Sequence, residues 1–474
     1  MFAEAFLKNK IVILLAIALP LVLVALNQIW YLLVPLAGIA VWLIYYLAWD
    51  RFLLYGLAGT LIFSFEAAIL GNTKLFFPVE ILATLLAGTT LIALLKEAPL
   101  RQSLRTSYLF KSMLALLASY FVSAFFSTMP LVSFKYGLVM LVYFLSGIGL
   151  YKALRAGTVN LKLWLLLLIL PVLLLSILSL TRLSVYGFNP GAASLMAQPF
   201  FKDHTVFSAT IVLLLPLIFY FQKFKSSTFW QWFFAAILLC TVWASSSRAA
   251  WISLAAILML YGAIKVQLSV KFWGVLSAIL LALLVFGKSH IVSSVSQNIN
   301  NSTSQVSGVQ EQVLSVANVS TDVSNLERIN RWFCAWEMFK DKPIIGFGPG
   351  TYQFEYFPYQ RDKFETILSV YSPYGIEAGK GGSAHSEYFL FLSETGLVGS
   401  LAWLNLLFAF FYSALKRLKK ETVNGRLALL ILLGISSYLV HGFFNNFLNI
   451  AQPGIIFWAL MSILIFLKNE TNGD

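Results

Sequence analysis

Apolar runs long enough to cross a lipid bilayer follow one another along most of this chain, and they leave few folds open. A helix needs about 20 mostly apolar residues to span the hydrocarbon. Such runs are predicted at 11–28, 30–48, 52–70, 75–95, 108–127, 135–154 and 161–181. They continue at 205–222, 230–246, 249–266, 271–288, 386–413, 426–445 and 450–467. A barrel would need short alternating segments instead, so the spans are read as helices. Composition agrees, with 59% hydrophobic and 11% charged residues, where a water-soluble domain carries roughly a quarter charged residues. The expectation is an all-α polytopic membrane protein of about fourteen transmembrane helices. About eleven of them fall in 1–288, a large loop with an amphipathic helix in 289–385, and about three in 386–474.

A net charge of +13 raises the question of nucleic acid, but the basic residues form no single patch. They sit in alternate connections: Lys8 and Lys10; Arg51; Lys96, Arg101, Arg105 and Lys111; Lys152, Arg155 and Lys162. The same set runs on through Lys223 and Lys225, Lys265, Lys416 and Arg417 to Lys468. The positive-inside rule assigns these connections and both termini to the cytoplasm, and the large loop to the outer side. Membrane lipids are expected partners and nucleic acid is not. Lys8 and Lys10 precede the first run without a following cleavage site, so that run is read as a retained helix. Two cysteines, Cys240 and Cys334, suggest packing residues and no disulfide framework.

The loop begins polar and changes texture at Asn325. NLERINRWFCAWEMFKDKP places Ile329, Trp332, Phe333, Trp336 and Phe339 at helical spacing, with Pro343 as a stop. Arg328 and Arg331 are three residues apart and share a face. The next run, IIGFGPG, lacks the phosphate-loop spacing and follows a helix, so it reads as a tight turn. His385 lies where the loop re-enters the apolar sequence.

Each candidate has a plainer reading beside it. Arg248, at the expected turn between two spans, could snorkel to lipid phosphates, but the small residues around it favour an inward position. Arg328 and Arg331 could be a solvated helix face, whereas a diphosphate ligand would use their planar forks. A lone histidine is more often structural, yet His385 is placed near water with an ordinary pKa of about 6.5 suited to base catalysis. Glu66 and Glu80 are read as intramembrane carboxylates and so as functional candidates without a specific role. His204 and His441 are likewise without one. No DxD pair, HExxH or ligand-spaced His/Cys cluster occurs, so neither metal nor cofactor is expected.

Three segments together resemble O-antigen ligase-like membrane proteins. ASSSRAAW is similar to that family's SRxxW element, and LERINRWFCAWEMFKDKPIIGFGPGTY to its loop element of Arg, a Trp four residues later and PxxGxGxxxY/F. AHSEYFLFLSETGLVG is similar to HNxYLxxLxExGxxG, with Ser386 where Asn is common. The segment from His204 also looks like a family span; before it the likeness is one of hydropathy alone.

The resemblance implies a type C glycosyltransferase-like membrane fold. It also implies an enzyme that moves a glycan from undecaprenyl diphosphate to lipid A–core, a growing glycan or a protein hydroxyl. It further implies that Arg248 and Arg328 engage the donor diphosphate, that Arg331, outside the motif, supports them, and that His385 is the base. O-antigen ligase is the expected activity. O-antigen or exopolysaccharide polymerase and protein O-oligosaccharyltransferase are the alternatives within the superfamily. A polysaccharide flippase is the alternative of another class, and it would predict a charged site near the midplane.

Overall fold

The computed structural model describes residues 33–70, 73–221, 225–267, 323–361, 382–418 and 422–467. Apolar runs coil into helices because, in lipid, each backbone N–H and C=O must find its partner within its own segment. In chain order the first are α1 (Leu33–Tyr46), α2 (Asp50–Thr60), α3 (Val79–Lys96), α4 (Ala98–Arg105), α5 (Tyr108–Phe125), α6 (Pro130–Arg155) and α7 (Leu161–Val185). Then come α8 (His204–Leu214), extended by a 3-10 segment Leu215–Phe221, α9 (Lys225–Ala244) and α10 (Arg248–Lys265). The loop contributes α11 (Val323–Asp341) and the short α12 (Tyr352–Glu355), and the chain closes with α13 (Glu387–Leu415), α14 (Val423–Phe444) and α15 (Ala451–Phe466).

Among the described residues eight helical segments are long and apolar enough to cross a membrane, and Thr228–Ala244 and Ala451–Phe466 are shorter apolar helices. The all-α, multi-pass expectation holds. The expected spans 11–28 and 271–288 lie outside the described residues, as do 289–322 and 362–381 of the loop.

The expected span at 52–70 is corrected. α2 stops at Thr60, and an antiparallel hairpin of β1 (Phe65–Leu70) and β2 (Thr73–Phe77) follows, with Phe65 opposite Phe77 and Glu66 opposite Phe76. Apolarity alone does not separate a buried helix from a short strand pair. The Gly71-Asn72 pair and Pro78 were the overlooked signals. An open sheet edge is tolerated at membrane depth only where protein or water covers it. Here Glu66 and Phe76 face a cavity, so Glu66 belongs to a strand at that cavity and not to a spanning helix. Cys240 is corrected too: it is exposed on α9, whereas Cys334 is buried.

Small residues bring the helices together, as expected where lipid removes the hydrophobic drive between apolar faces. A Cβ on Gly147 of α6 would lie 2.6 Å from the Trp458 carbonyl oxygen of α15. One on Gly434 of α14 would lie 2.4 Å from the Leu213 carbonyl oxygen of α8. Polar side chains add specific links: Asn405 of α13 donates to Ser112 of α5 at 2.9 Å, and the Trp458 indole donates to Met140 Sδ at 3.3 Å.

These pairings fix which helix ends meet. α3, α6 and α13 run from the loop end of the bundle to an opposite end rich in Lys96, Arg101, Lys152, Arg155 and Arg417. α8 starts at the loop end with Asp203 as its cap. α9 returns from a Phe219–Trp232 contact at its start to a Trp243–Phe188 contact at its end. Arg248, which opens α10, is thereby brought to the loop end. Gly434→Val is expected to push α14 off α8 and lower stability by about 1–3 kcal/mol, read as a reduced thermal midpoint of the purified protein in detergent.

Candidate active site

The site is built where the loop returns to the bundle. α13 begins at Glu387, and the residue two before it, His385, holds a left-handed backbone with φ 48°. A non-glycine residue in that region is uncommon and persists where its surroundings hold it. Trp332 of α11 supplies one restraint: its indole N–H donates to the His385 carbonyl at 3.3 Å. Its ring stacks on Phe389 at 5.4 Å and meets Phe443 edge-on at 5.2 Å. The apolar face foreseen for the loop helix is therefore docked on α13 and α14.

Glu387 supplies a second restraint. Its carboxylate, 2% exposed, accepts from the Tyr438 hydroxyl at 2.8 Å and from the backbone N–H groups of Phe447 and Leu448 at 2.6 and 2.7 Å. All three donors converge on its Oε1 and tie α13 to α14 and the 445–448 turn. That turn places the Asn445 side chain within hydrogen-bonding reach of the His385 imidazole.

The glycine run IIGFGPG is a docking strap, in keeping with its reading as a turn. α13 kinks at Gly396, φ 59°, and the strap pairs with the kink. Phe347 and Gly348 N–H donate to the Ser393 and Glu394 carbonyls at 3.0 and 2.8 Å, and Leu397 and Val398 N–H donate to the Pro343 and Ile344 carbonyls at 2.8 and 3.1 Å. The two backbones approach too closely for side chains: a Cβ on Gly346 would meet the Glu394 carbonyl carbon at 2.4 Å, and one on Gly396 the Ile344 carbonyl carbon at 2.5 Å. The Glu394 carboxylate completes the joint by accepting from Tyr352 N–H at 3.0 Å.

Next to this joint lies a cavity of about 560 Å3, lined by His385, Glu394, Tyr136, Gln353, Asp203 and Asn445 among others. Its volume falls within the roughly 300–1,000 Å3 of small-molecule sites. Behind His385 stand the two loop arginines. Arg331, 5% exposed, pairs with Glu327 at 2.7 Å, donates to the Ser383 carbonyl at 3.0 Å and lies 5.0 Å from the Tyr356 ring centroid. Gly382, φ 81°, leaves the room that the Arg331 guanidinium fills. Arg328 donates to Asn325 at 3.1 Å, and its charge acts on His385. Burial first, then Arg331 and Arg328, lower the His385 imidazole from its usual 6.5 to about 4, while Asp203 and Asn445 act the other way.

The structure thus brings His385, Arg328 and Arg331 together. Arg248 is half-buried at the same end of the bundle, but the lining of this cavity includes neither it nor Arg328. Glu80, noted in the sequence without a role, lines the cavity and accepts from Phe76 N–H at 3.0 Å. Asp203, Asn445, Tyr136 and Gln353 were not legible as site residues. Glu394 had a signal, the SETG run beside His385, but not its partner strap. Among the described residues no group of three or more His, Cys, Asp or Glu is disposed to hold a metal ion.

Residues 233–404 match the family model described as O-antigen ligase, Wzy_C. That match, over part of the chain, supports membership of the O-antigen ligase-like superfamily. The match spans Arg248, the arginines of α11, the strap, His385 and the kink of α13, and ends before α14. A comparison with curated proteins finds no match.

Two outcomes are expected for this ligase-like site. Histidine-selective NMR should show His385 neutral throughout pH 5–8, taking up its proton only near pH 4, where an unperturbed imidazole would titrate at about 6.5. Gly396→Ala should cost about 1–3 kcal/mol, from a left-handed backbone and a blocked strap, and thermal unfolding in detergent reads it.

Proposed function

We propose that this O-antigen ligase-like protein is an inverting glycosyltransferase that moves a glycan from undecaprenyl diphosphate to an acceptor hydroxyl, most simply lipid A–core. The observation that carries the reading is the His385 imidazole on the wall of a polar cavity with two guanidinium groups behind it, where burial and those charges lower its pKa to about 4. A base must be unprotonated before the reaction; burial above all favours neutral His385, and the positive field that adds to it suits a diphosphate.

The acceptor oxygen attacks the anomeric carbon as His385 takes its proton, and the bond from that carbon to the diphosphate oxygen breaks. One displacement inverts the carbon. Charge developing on the leaving diphosphate meets Arg328, and this stabilisation requires no metal ion. Arg248, at the same end of the bundle but outside the cavity lining, is assigned to the donor by its SRxxW motif alone. Arg331 acts mainly through position: paired with Glu327, it anchors the segment that carries His385 and adds to the field. As the negative donor arrives, the His385 pKa rises towards the value at which a base is most effective at neutral pH.

Basic residues gathered at the end opposite the loop support a cytoplasmic assignment for that end and a periplasmic one for the cavity. A bacterial inner-membrane enzyme so oriented meets its lipid-linked donor after export. The charged groups sit at one end of the bundle beside the loop, which favours this chemistry over a flippase site at mid-depth.

His385→Ala should lower transfer by about 10²- to 10⁴-fold, and Arg328→Ala by about 10²- to 10³-fold, at unchanged protein level. The assay is transfer from undecaprenyl diphosphate-linked glycan by the purified protein. Deleting the gene and resolving the cell's lipopolysaccharide on a gel separates the variants. Bare core with accumulated lipid-linked glycan marks a ligase, core with one repeat a polymerase, and unchanged lipopolysaccharide with altered glycoproteins a protein-acceptor enzyme.

A further inference from the structure

The cavity has a second wall, and its chemistry differs from that of the wall carrying His385. It is formed by the β1–β2 hairpin, the start of α3, the residues leading into α8, and the turn before α15 together with that helix's first residues. Glu66, Glu80 and Asp203 bring carboxylates to it, and the one lysine in the lining, Lys202, is paired with Glu66 at 2.5 Å. Side-chain amides complete it. Asn446 and Asn449 line the cavity, and neither side chain has a hydrogen-bond partner among the described residues. Asn445, 5% exposed and beside His385 where the two walls meet, has a buried amide nitrogen without a partner among the described residues. A buried amide of this kind gains about 1–3 kcal/mol from a hydrogen-bonding partner, so the wall offers donors and acceptors to a polar ligand in the cavity. Tyr136, Tyr143 and Phe76 add apolar ring surface beside it.

We infer that this wall is a carbohydrate subsite that binds and orients the hydroxyls of the acceptor sugar opposite His385. The inference rests on the glycosyltransferase reading and specifies where its second substrate lies. Amides and carboxylates provide the paired donors and acceptors that neighbouring sugar hydroxyls match, and ring faces cover their C–H surface. The charge pattern decides which substrate goes where. A diphosphate is drawn to the guanidinium side and repelled by Glu80 and Asp203, Glu66 being offset by Lys202, whereas a neutral polyol pays no such penalty. The subsite is also built from residues outside the 233–404 family match, as suits a surface that selects an acceptor while the shared segment handles the donor.

The test uses Asn446→Ala, Asn449→Ala, their double variant and Glu80→Gln in full-length protein reconstituted in liposomes. The two asparagines donate and accept nothing within the described protein, so their variants should keep the wild-type thermal midpoint. With undecaprenyl diphosphate-linked glycan as donor and lipid A–core as acceptor, the acceptor KM should rise roughly 3- to 10-fold per amide lost, with donor KM unchanged. Lipid-linked glycan and a protein acceptor are run in parallel. A rise in donor KM alone would place the donor's own sugar on this wall and overturn the assignment. Unchanged acceptor KM in an active enzyme would remove the subsite while leaving the glycosyltransferase reading intact. Wild-type protein inactive with all three acceptors would remove both.

Discussion

The joint between the glycine strap and the kink of α13 is the feature on which the site depends. Where a helix breaks at membrane depth, the freed N–H and C=O groups need partners, because hydrocarbon offers none. Ser393 and Glu394 find theirs in Phe347 and Gly348, and Pro343 and Ile344 accept from Leu397 and Val398. This reciprocal pairing lets the helix bend and holds the loop against the bundle. It works only because Gly346 and Gly396 have no side chain at the point of closest approach.

Once the loop is anchored, α11 is fixed by Trp332 on Phe389 and Phe443, and His385 is caught between them. Glu387 then ties the same helix start to the turn carrying Asn445. Two restraints, Trp332 and Glu387, converge on one left-handed residue, which is how a strained backbone is kept. The electrostatics follow from that placement. Arg328 and Arg331 act on His385 from one side while the carboxylates Glu66, Glu80 and Asp203 lie on the cavity wall, so the charge around the cavity is uneven.

Much of the bundle was legible in the sequence because a spanning helix is dictated by length and apolarity alone. α5, α6, α7, α14 and α15 fall close to the expected spans. The hairpin was missed because 52–70 is apolar whichever way it folds, and only the Gly71-Asn72 pair and Pro78 distinguish the two outcomes. His385, Arg328 and Arg331 stood out as polar residues on short motifs in one loop. Asn445, Asp203 and Tyr136 did not, since each lies in a separate stretch of chain whose local pattern carries no mark of the cavity they share.

The sequence by itself determined that the chain must live in lipid, that it is helical, and that its polar chemistry gathers around the large loop. Those properties depend on local composition, which the bilayer reads one segment at a time. Tertiary structure decided that the glycine run is the partner of a broken helix, that Arg331 is committed to Glu327, and that an N-terminal hairpin faces His385 across a cavity. These are relations between segments tens to hundreds of residues apart. They are set by close packing at glycines and by the need to satisfy buried polar groups, neither of which is written in any one stretch of the chain.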